Sequence, residues 1–295
     1  MMSYNTNIYE FPAAKGIVVC GDVHGDFATL VHKVCVQYGI TDTLIVVAGD
    51  CGFGFERPGF YKHVYERCRG KLSKANNWLV FIRGNHDNPA YFDGQQVNYK
   101  RWKAVPDYSV LRSCGHNILC VGGAISVDRT RRQLAYLGQT VIDGEDETFM
   151  PEAYWSNEPP VYDEEKLNGL SGQYAIDTVI THTSPSFCQL THHHYIDEWV
   201  LRDRNLLADT KEERKVMDDI CAFLKAHGHP LQQWYYAHFH EAWQEDIDGV
   251  KYRLLDIMQL HKLAPDDDAV NRRSEKEYDE KLEKLAKLAA MFPIF

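Results

Sequence analysis

Residues 16–24 read GIVVCGDVH, a short apolar run that leads directly into the polar side chains of Asp22 and His24. The same arrangement returns in TLIVVAGD at residues 43–50 and in WLVFIRGNHD at residues 78–87. Short apolar runs that are rich in β-branched residues and bounded by glycine are typical of buried strands. The sequence therefore predicts strands at residues 16–20, 43–48 and 78–82.

Amphipathic segments of helical period separate these strands, at residues 27–38 and 61–75. Strands that alternate with helices indicate a sheet covered by helices. The first helical segment offers four residues for burial, Leu30, Val31, Val34 and Val36. Further strands are predicted at residues 108–111, 118–121, 176–181, 234–237, 243–247 and 252–255, the last two joined by a hairpin through Asp248-Gly249, and further helices at 195–208 and 212–226.

The chain of 295 residues is long enough for one large domain or two small ones. We expect one core domain at residues 1–262, because the predicted strands end there. Residues 126–160 are polar, contain several prolines and show no sustained period, which predicts a surface insertion. Residues 263–295 predict an acidic turn followed by a helix at 274–291 that docks on the core.

Composition limits the partners and the compartment. The net charge of −10 gives the chain no broad attraction for nucleic acid. The eight cysteines form no Cys-x-x-Cys pair, and several lie in apolar runs, which favours a reducing compartment. The N-terminus lacks the features of a secretion signal, and no stretch approaches the roughly 18 apolar residues of a membrane helix. We expect a soluble, cytoplasmic protein with no membrane partner.

Side chains that can bind metal follow each of the first three strands. Asp22 and His24 follow the first, Asp50 the second and Asn85 the third. In open α/β sheets, functional sites collect beyond the carboxyl ends of the strands. Residues two apart in a strand-like segment point the same way, so Asp22 and His24 are expected to face one cavity.

Three histidines repeat this arrangement later in the chain. His182 follows the predicted strand at residues 176–181, and His238 and His240 follow the one at 234–237. The same period of two places His238 and His240 on one side. Together the strand ends offer two carboxylates, one amide and four imidazoles, a set suited to divalent transition metals and too rich in nitrogen for magnesium or calcium alone. Asp50 is the natural bridge, because one carboxylate can hold two ions about 3.5 to 4 Å apart.

The order Asp-x-His, Gly-Asp, Gly-Asn-His-Asp, a single His and then His-x-His resembles the signature of the calcineurin-like metallophosphoesterases, over residues 20–240. The resemblance implies an α/β fold, a four-layer β-sandwich flanked by helices (α/β/β/α) in a single core domain. It also implies two divalent metal ions, manganese before iron, zinc or nickel. One ion would be held by Asp22, His24, Asp50 and His240, and the second by Asp50, Asn85, His182 and His238, with His86 left as the catalytic histidine that binds no metal.

The activity that this resemblance implies is hydrolysis of a phosphate monoester or diester by direct attack of a hydroxide that bridges the two metal ions. Two cations offset the negative charge of the phosphoryl group and lower the pKa of water toward neutrality. If His86 is protonated, it stabilises the transferring oxygens or protonates the leaving group. The substrate is thus expected to be a phosphate ester, while the preferred ester and the oligomeric state remain open.

The second motif departs from that of the phosphoprotein phosphatases, Gly-Asp-x-x-Asp-Arg-Gly. Phe53 stands in place of the aspartate that orients the catalytic histidine, and Gly54 in place of the arginine that contacts phosphate. The third motif ends in Asp87 rather than glutamate. What orients His86 is therefore open. Two arginines, Arg129 and Arg132, can present guanidinium forks to a phosphate, or can belong to an exposed charged loop.

Other functions compete with this interpretation. A phosphoprotein phosphatase is disfavoured by the missing motif residues, and a nuclease needs a basic groove that the net charge does not indicate. A catalytically silent binding scaffold would be expected to have lost ligands, whereas every ligand position here is filled. The run His192–His194 could suggest metal, but it lies outside the motif order and is typical of a solvated helix start.

Overall fold

The computed structural model describes residues 7–57, 59–134, 154–189 and 196–263. These residues form strands β1 (Ile8–Glu10), β2 (Gly16–Cys20), β3 (Thr43–Val47), β4 (Trp78–Phe81), β5 (Asn98–Tyr99), β6 (Trp102–Ala104), β7 (Ser109–Ser113), β8 (His116–Val121), β9 (Thr178–Thr181), β10 (Gln233–Tyr236), β11 (Trp243–Ile247), β12 (Val250–Leu254) and β13 (Leu260–Leu263). The α-helices are α1 (Phe27–His32), continued by the π-helical turn Lys33–Gln37, then α2 (Phe60–Ala75), α3 (Glu164–Ser171), α4 (Ile196–Val200) and α5 (Leu206–Ala226). A 3-10 helix lies at Pro89–Phe92, and residues 129–134 are also helical.

The strands form two sheets. One has seven strands in the order β1-β7-β8-β9-β10-β12-β11, and the other has six in the order β13-β2-β3-β4-β6-β5. The centre of each sheet is parallel: β2, β3, β4 and β6 run the same way in the smaller sheet, as do β8, β9, β10 and β12 in the larger. Parallel strands need helical crossovers, and α2 supplies the one between β3 and β4.

Alternation along β2 shows how the layers pack. Ile17 and Val19 point into a core between the two sheets, where Leu111 and Ile180 of the larger sheet meet them. Val18 points the other way, into a second core. Residues two apart on a strand share a face, so every central strand is buried on both sides and reads as a continuous apolar run.

Helices cover the two outer faces. α1 and α2 pack on the smaller sheet through Leu30, Val31 and Leu72. On the larger sheet, α3 and α5 pack through Leu167 and Ile220. The order of layers is helices, sheet, sheet, helices. The expected α/β fold, with two sheets flanked by helices in a single domain, is confirmed.

The strands predicted in the buried core agree with the structure to within a few residues, and the hairpin through Asp248-Gly249 joins β11 to β12. Val36 corrects one expectation: it is 54% exposed, because the helix widens into the π-helical turn and rotates this residue away from the sheet. The boundary predicted between the helices at 195–208 and 212–226 is also wrong. The break between α4 and α5 falls at residues 201–205.

Several predictions fall outside the described residues: the C-terminal helix at 274–291, the run His192–His194 and the middle of the insertion at 135–153. At the described ends of the predicted insertion, Ser126, Trp155 and Glu158 are buried. Among the helices of the described residues, none is long and apolar enough to cross a membrane.

The core between the sheets should dominate stability. Leu44 is fully buried there. We expect Leu44→Ala to lower the free energy of unfolding by about 2 to 5 kcal/mol, measured by urea denaturation, because truncation leaves a cavity between two rigid sheets. Leu134, which is 64% exposed, is the matched control, and Leu134→Ala should change the free energy of unfolding by less than about 0.5 kcal/mol. Equal effects of the two substitutions would contradict this assignment of the core.

Candidate metal centre

The site lies where the parallel strands of both sheets end. β2, β3 and β4 lead to Asp22, Asp50 and Asn85, respectively. In the other sheet, β9 and β10 lead to His182 and His238. Carboxyl ends of parallel strands meet at one edge of a sheet. The two edges face each other, because Nε2 of His182 lies 3.1 Å from Oδ1 of Asp50.

The side chains at this edge form two groups that share one carboxylate. Within each group, the candidate ligand atoms all lie within 4.8 Å of one another. The amide oxygen of Asn85 adjoins the second group, 3.0 Å from Nε2 of His182. The first group is Asp22, His24, Asp50 and His240, and the second is Asp50, His182 and His238.

Four of these residues have a left-handed backbone. The angle φ is 48° at His24, 44° at Asp50, 73° at His238 and 53° at His240. Residues other than glycine rarely adopt this backbone conformation, and such backbone strain is concentrated at functional sites. The segments after β2 and β10 are thus turns. Asp22 and His24 still fall into one group, and His240 and His238 lie in the two groups that share Asp50.

Two glycines let the backbone approach the site. A Cβ on Gly84 would lie 2.1 Å from Oδ1 of Asp50, and a Cβ on Gly49 would lie 2.2 Å from Nδ1 of His182. Neither contact is possible for a real side chain. The glycines that precede Asp50 and Asn85 in the motifs are therefore required by the packing of the site itself.

In the first group, nitrogen and oxygen atoms that carry lone pairs lie close to one another. Nε2 of His240 lies 2.9 Å from Oδ2 of Asp22 and 3.2 Å from Nε2 of His24. A carboxylate oxygen and two neutral imidazole nitrogens repel one another at such distances unless a cation or protons lie between them. Nitrogen and oxygen donors in this proportion suit a divalent transition metal. The first group therefore fits a metal ion.

In the second group, a backbone hydrogen bond orients the ring of His182. Nδ1 of His182 lies 2.7 Å from the carbonyl oxygen of Ala48 and donates to it, so that Nε2 is the nitrogen that faces the site and can accept when the ring is neutral. Nε2 then faces two more acceptors, Oδ1 of Asp50 and Oδ1 of Asn85. Three acceptors that converge on one point also fit a cation.

Ionisation in the site reflects this convergence. Burial acts to raise the pKa of Asp50, but the positive charge of His182 outweighs burial and holds this pKa well below its ordinary value. Burial acts to lower the pKa of His182, and the carboxylate of Asp50 outweighs it and raises this pKa to about 9. The cluster thus stabilises positive charge next to Asp50.

His86 lies beside both groups without belonging to either. Its backbone N–H donates to Oδ1 of Asp50 at 2.7 Å, and its ring packs edge-on against His24. Burial lowers the pKa of His86 to about 4, so that the ring is neutral near neutral pH. Nη2 of Arg132 contacts this ring, 3.1 Å from Nδ1 and closer to Nε2.

The two candidate phosphate-binding arginines differ in their surroundings. Arg132 touches His86, and its Nε lies 2.8 Å from Oδ1 of Asp128. Arg129 points away into two carboxylates, with Nε 2.6 Å from Oδ2 of Asp203 and Nη2 2.5 Å from Oδ2 of Asp209. A guanidinium held by two carboxylates is already neutralised, which favours a structural role for Arg129.

Phe53 belongs to the core and takes no part in orienting His86. Its ring is fully buried and packs on Phe27, Phe81 and Phe92. A carboxylate at this position would be buried among aromatic rings. The missing aspartate of the second motif is therefore a consequence of how this loop folds into the aromatic cluster.

Asp87 ties the second and third motifs together. Its carboxylate accepts four backbone N–H groups: Oδ1 from Gly52 and Phe53 at 2.8 and 2.9 Å, and Oδ2 from Cys51 and Gly84 at 3.0 and 2.7 Å. The loop that carries Asp50 is thus bonded to the loop that carries the next ligand. In the sequence alone, Asp87 stands out only as a departure from the glutamate of the phosphoprotein phosphatases.

A cavity of about 360 Å³ adjoins the site on the side of His24 and His86. Phe27, Phe55 and Phe60 contribute to its walls, and Glu56 is the one carboxylate among the described residues that line it. Planar apolar groups suit such walls. A larger cavity of about 580 Å³ is lined in part by Ile17, Lys33 and Ala242, and none of the candidate ligands lines it.

Comparison with known families agrees with the motif order. The model of the calcineurin-like phosphoesterase family matches residues 16–242. The chain belongs to the calcineurin-like phosphoesterase family, and the resemblance of its strand-end motifs is confirmed.

One solved structure that aligns with this chain is TT1561 of Thermus thermophilus. It is 14% identical, with a TM-score of 0.47, and the alignment covers 84% of this chain and 98% of the TT1561 chain. A dimetal phosphatase from Danio rerio is 11% identical with a TM-score of 0.44, over 84% of this chain and 88% of its own. The phosphopantetheinyl hydrolase from Mycobacterium tuberculosis is 13% identical with a TM-score of 0.37, over 85% and 97%. Identities this low carry no information about the substrate of this chain.

The bonds of Asp87 should make it a stabilising residue. Asp87→Asn keeps the shape but turns one acceptor oxygen into an amino group that faces N–H donors. We expect the free energy of unfolding in urea to fall by about 3 kcal/mol. Asp93→Asn is the matched control, because Asp93 accepts the N–H groups of Gln95 and Gln96 in an exposed turn, and it should cost less than about 1 kcal/mol. A loss of similar size in both variants would argue against the tether.

Proposed function

We propose that this chain is a metal-dependent hydrolase of phosphate esters that holds two divalent metal ions at the shared carboxylate of Asp50. The observation that carries the proposal is the convergence of acceptor atoms into two groups with Asp50 in both. Membership of a phosphoesterase family supports it. One ion would bind Asp22, His24, Asp50 and His240, and the other Asp50, Asn85, His182 and His238.

Bound metal ions would supply positive charge for the phosphoryl oxygens and a water molecule that is acidic near neutral pH. The chain contributes the geometry. The carbonyl oxygen of Ala48 holds the tautomer of His182, and the backbone N–H of His86 holds the carboxylate of Asp50. Manganese is the ion we propose first, with iron, zinc and nickel as alternatives, because all accept mixed imidazole and carboxylate ligands.

Arg132 is the residue that we propose as the phosphate contact of the chain. Its guanidinium lies at the ring of His86, next to the ligands, where it can turn a planar fork toward a phosphate. The same role for Arg129 would require it to leave Asp203 and Asp209. We propose that His86, neutral near neutral pH, acts as a hydrogen-bonding group for the leaving oxygen.

The aromatic cavity next to His24 and His86 suits the alcohol part of a small ester, and the carboxylate of Glu56 disfavours a second anionic group there. A monoester or diester with one phosphate and an apolar or aromatic alcohol is the substrate we propose. A phosphoprotein phosphatase is disfavoured by the buried Phe53, and a nuclease by the net charge of −10. All eight cysteines are free thiols, which supports a reducing, cytoplasmic location.

Esters of para-nitrophenol match this cavity and test the activity. We expect protein stripped of metal to be inactive toward para-nitrophenyl phosphate and its bis ester, and added manganese to restore turnover of at least one of them. Asp50→Asn should lower kcat/KM by at least about 100-fold, because both metal sites lose a ligand.

Asp248→Asn is the control for this substitution, because Asp248 lies in the exposed hairpin turn where asparagine fits the left-handed backbone, at φ 52°. It should keep the activity of the unchanged protein. Folding of Asp50→Asn is checked by circular dichroism. Undiminished turnover in a folded Asp50→Asn variant would mean that the reaction does not use this site, and a folded protein that binds metal without cutting any ester would favour the binding scaffold.

Arg132→Ala should lower kcat for the monoester by about 100-fold, the cost of losing one donor to a charged transition state. Arg131→Ala is the matched control, because Arg131 is an exposed neighbour on the same helical residues 129–134, and it should change kcat by less than about twofold. Steady-state kinetics with both variants checks this. Equal rates for Arg132→Ala and Arg131→Ala would remove Arg132 from the proposed mechanism.

A further inference from the structure

A buried chain of hydrogen bonds leads away from the site behind Asn85. Nδ2 of Asn85 donates to Oγ of Ser126 at 3.0 Å, and Oγ of Ser126 donates to Oε2 of Glu158 at 2.8 Å. The backbone N–H of Ser126 donates to the other carboxylate oxygen, Oε1, at 2.6 Å. All three residues are buried, so that water does not compete for these bonds.

The direction of this chain is set by its carboxylate end. Above the pKa of Glu158, the ionised carboxylate can only accept, so the single proton of the Ser126 hydroxyl is committed to Glu158. The hydroxyl oxygen must then accept its second bond, and Nδ2 of Asn85 supplies it. The nitrogen of the amide therefore faces Ser126, and the oxygen faces His182, 3.0 Å from Nε2.

An asparagine needs such a partner to act as a metal ligand. The two ends of the amide are nearly equal in size, so packing alone does not choose between them. If the amide turned over, its NH₂ group would point at the second metal site and could not bind a cation. A contact behind the amide that can only accept from it is what excludes this orientation.

Glu158 is itself held in place. Arg83 donates to the carbonyl oxygens of Glu158 and Pro159, and its Nε donates to Oδ2 of Asp107 at 2.9 Å. Arg83 and Asn85 both lie in the loop that follows β4. The same loop therefore anchors Glu158, through Arg83, and carries Asn85 at the other end of the hydrogen-bond chain. Burial raises the pKa of Glu158 to about 8, while the two bonds from Ser126 act in the opposite direction.

We infer that Glu158 is a positioning residue of the proposed metal centre, which acts through Ser126 to keep the amide oxygen of Asn85 turned toward the second metal site. The inference rests on the proposed function for the presence of metal, and on the bond geometry for the role of Glu158. Partners behind metal ligands commonly contribute 10-fold to 100-fold in metal affinity, as an order of magnitude.

Glu158→Gln tests the inference by calorimetric titration of the metal-stripped protein with Mn²⁺ alone, above the pKa of Glu158. Glutamine keeps the shape of the glutamate side chain but presents an NH₂ group either to the backbone nitrogen or to Oγ of Ser126, the two atoms that donate to Glu158. We expect the unchanged protein to bind two Mn²⁺ ions, and Glu158→Gln to bind one of them about 10-fold to 100-fold more weakly and the other unchanged.

Asp203→Asn is the matched control, because Asp203 is a largely buried carboxylate that holds the segment after Ser126 through Nε of Arg129 at 2.6 Å. It should leave both affinities within about twofold. Thermal unfolding of the metal-free proteins shows that each variant is folded. Equal losses of affinity in Glu158→Gln and Asp203→Asn would mean that the loop is merely loosened, and would overturn the inference.

A double variant reverses the polarity of the whole chain. In N85D/E158Q, the glutamine amide donates to Ser126, and the Ser126 hydroxyl donates to the carboxylate at position 85. Donors and acceptors match again, so we expect the double variant to bind its weaker Mn²⁺ ion at least about 10-fold more tightly than Glu158→Gln, an order of magnitude set by the partner effect.

The outcomes separate the two claims. Two Mn²⁺ ions bound with unchanged affinity by Glu158→Gln would overturn the positioning role, as would a double variant no better than the single one. Two ions bound by the unchanged protein without any ester hydrolysis would contradict the proposed function and leave the positioning role in place. Binding of no metal by the unchanged protein would contradict both.

Discussion

The buried carboxylate of Asp50 is the constraint on which the rest of the structure depends. It sits at the end of β3, whose five residues are all buried, and it faces His182 from the opposite sheet. Burying a carboxylate costs several kcal/mol unless hydrogen bonds and positive charge compensate. The N–H of His86, the imidazoles and the proposed metal ions provide that compensation. The two sheets are thus joined by charge at the same edge where their parallel strands end.

A site of this kind needs rigid surroundings, because several of its residues hold a strained backbone. Two buried carboxylates supply the rigidity from different directions. Asp87 accepts four N–H groups and joins the loops of the second and third motifs. Glu158 closes the chain of bonds behind Asn85. Neither carboxylate belongs to a ligand group, yet both fix where the ligands stand.

The parts of this molecule that sequence predicts well are the ones encoded locally. β3 reads as an apolar run, and Gly49-Asp50 marks its end, so strand and candidate ligand come from adjacent residues. β1, β5, β6 and β13 were not predicted, because such short strands at or next to a sheet edge depend on backbone pairing that the side-chain pattern does not encode. Glu158 was missed for another reason: it is 32 residues from Ser126, and only the folded chain brings the two together.

Anomalous X-ray scattering from crystals of the full chain grown with manganese would show how many ions bind and where they lie. We expect two anomalous peaks about 3.5 to 4 Å apart with the carboxylate of Asp50 between them. One peak should lie against Asp22 and His240, and the other against His182 and His238. A single peak, or peaks that do not touch Asp50, would contradict the account.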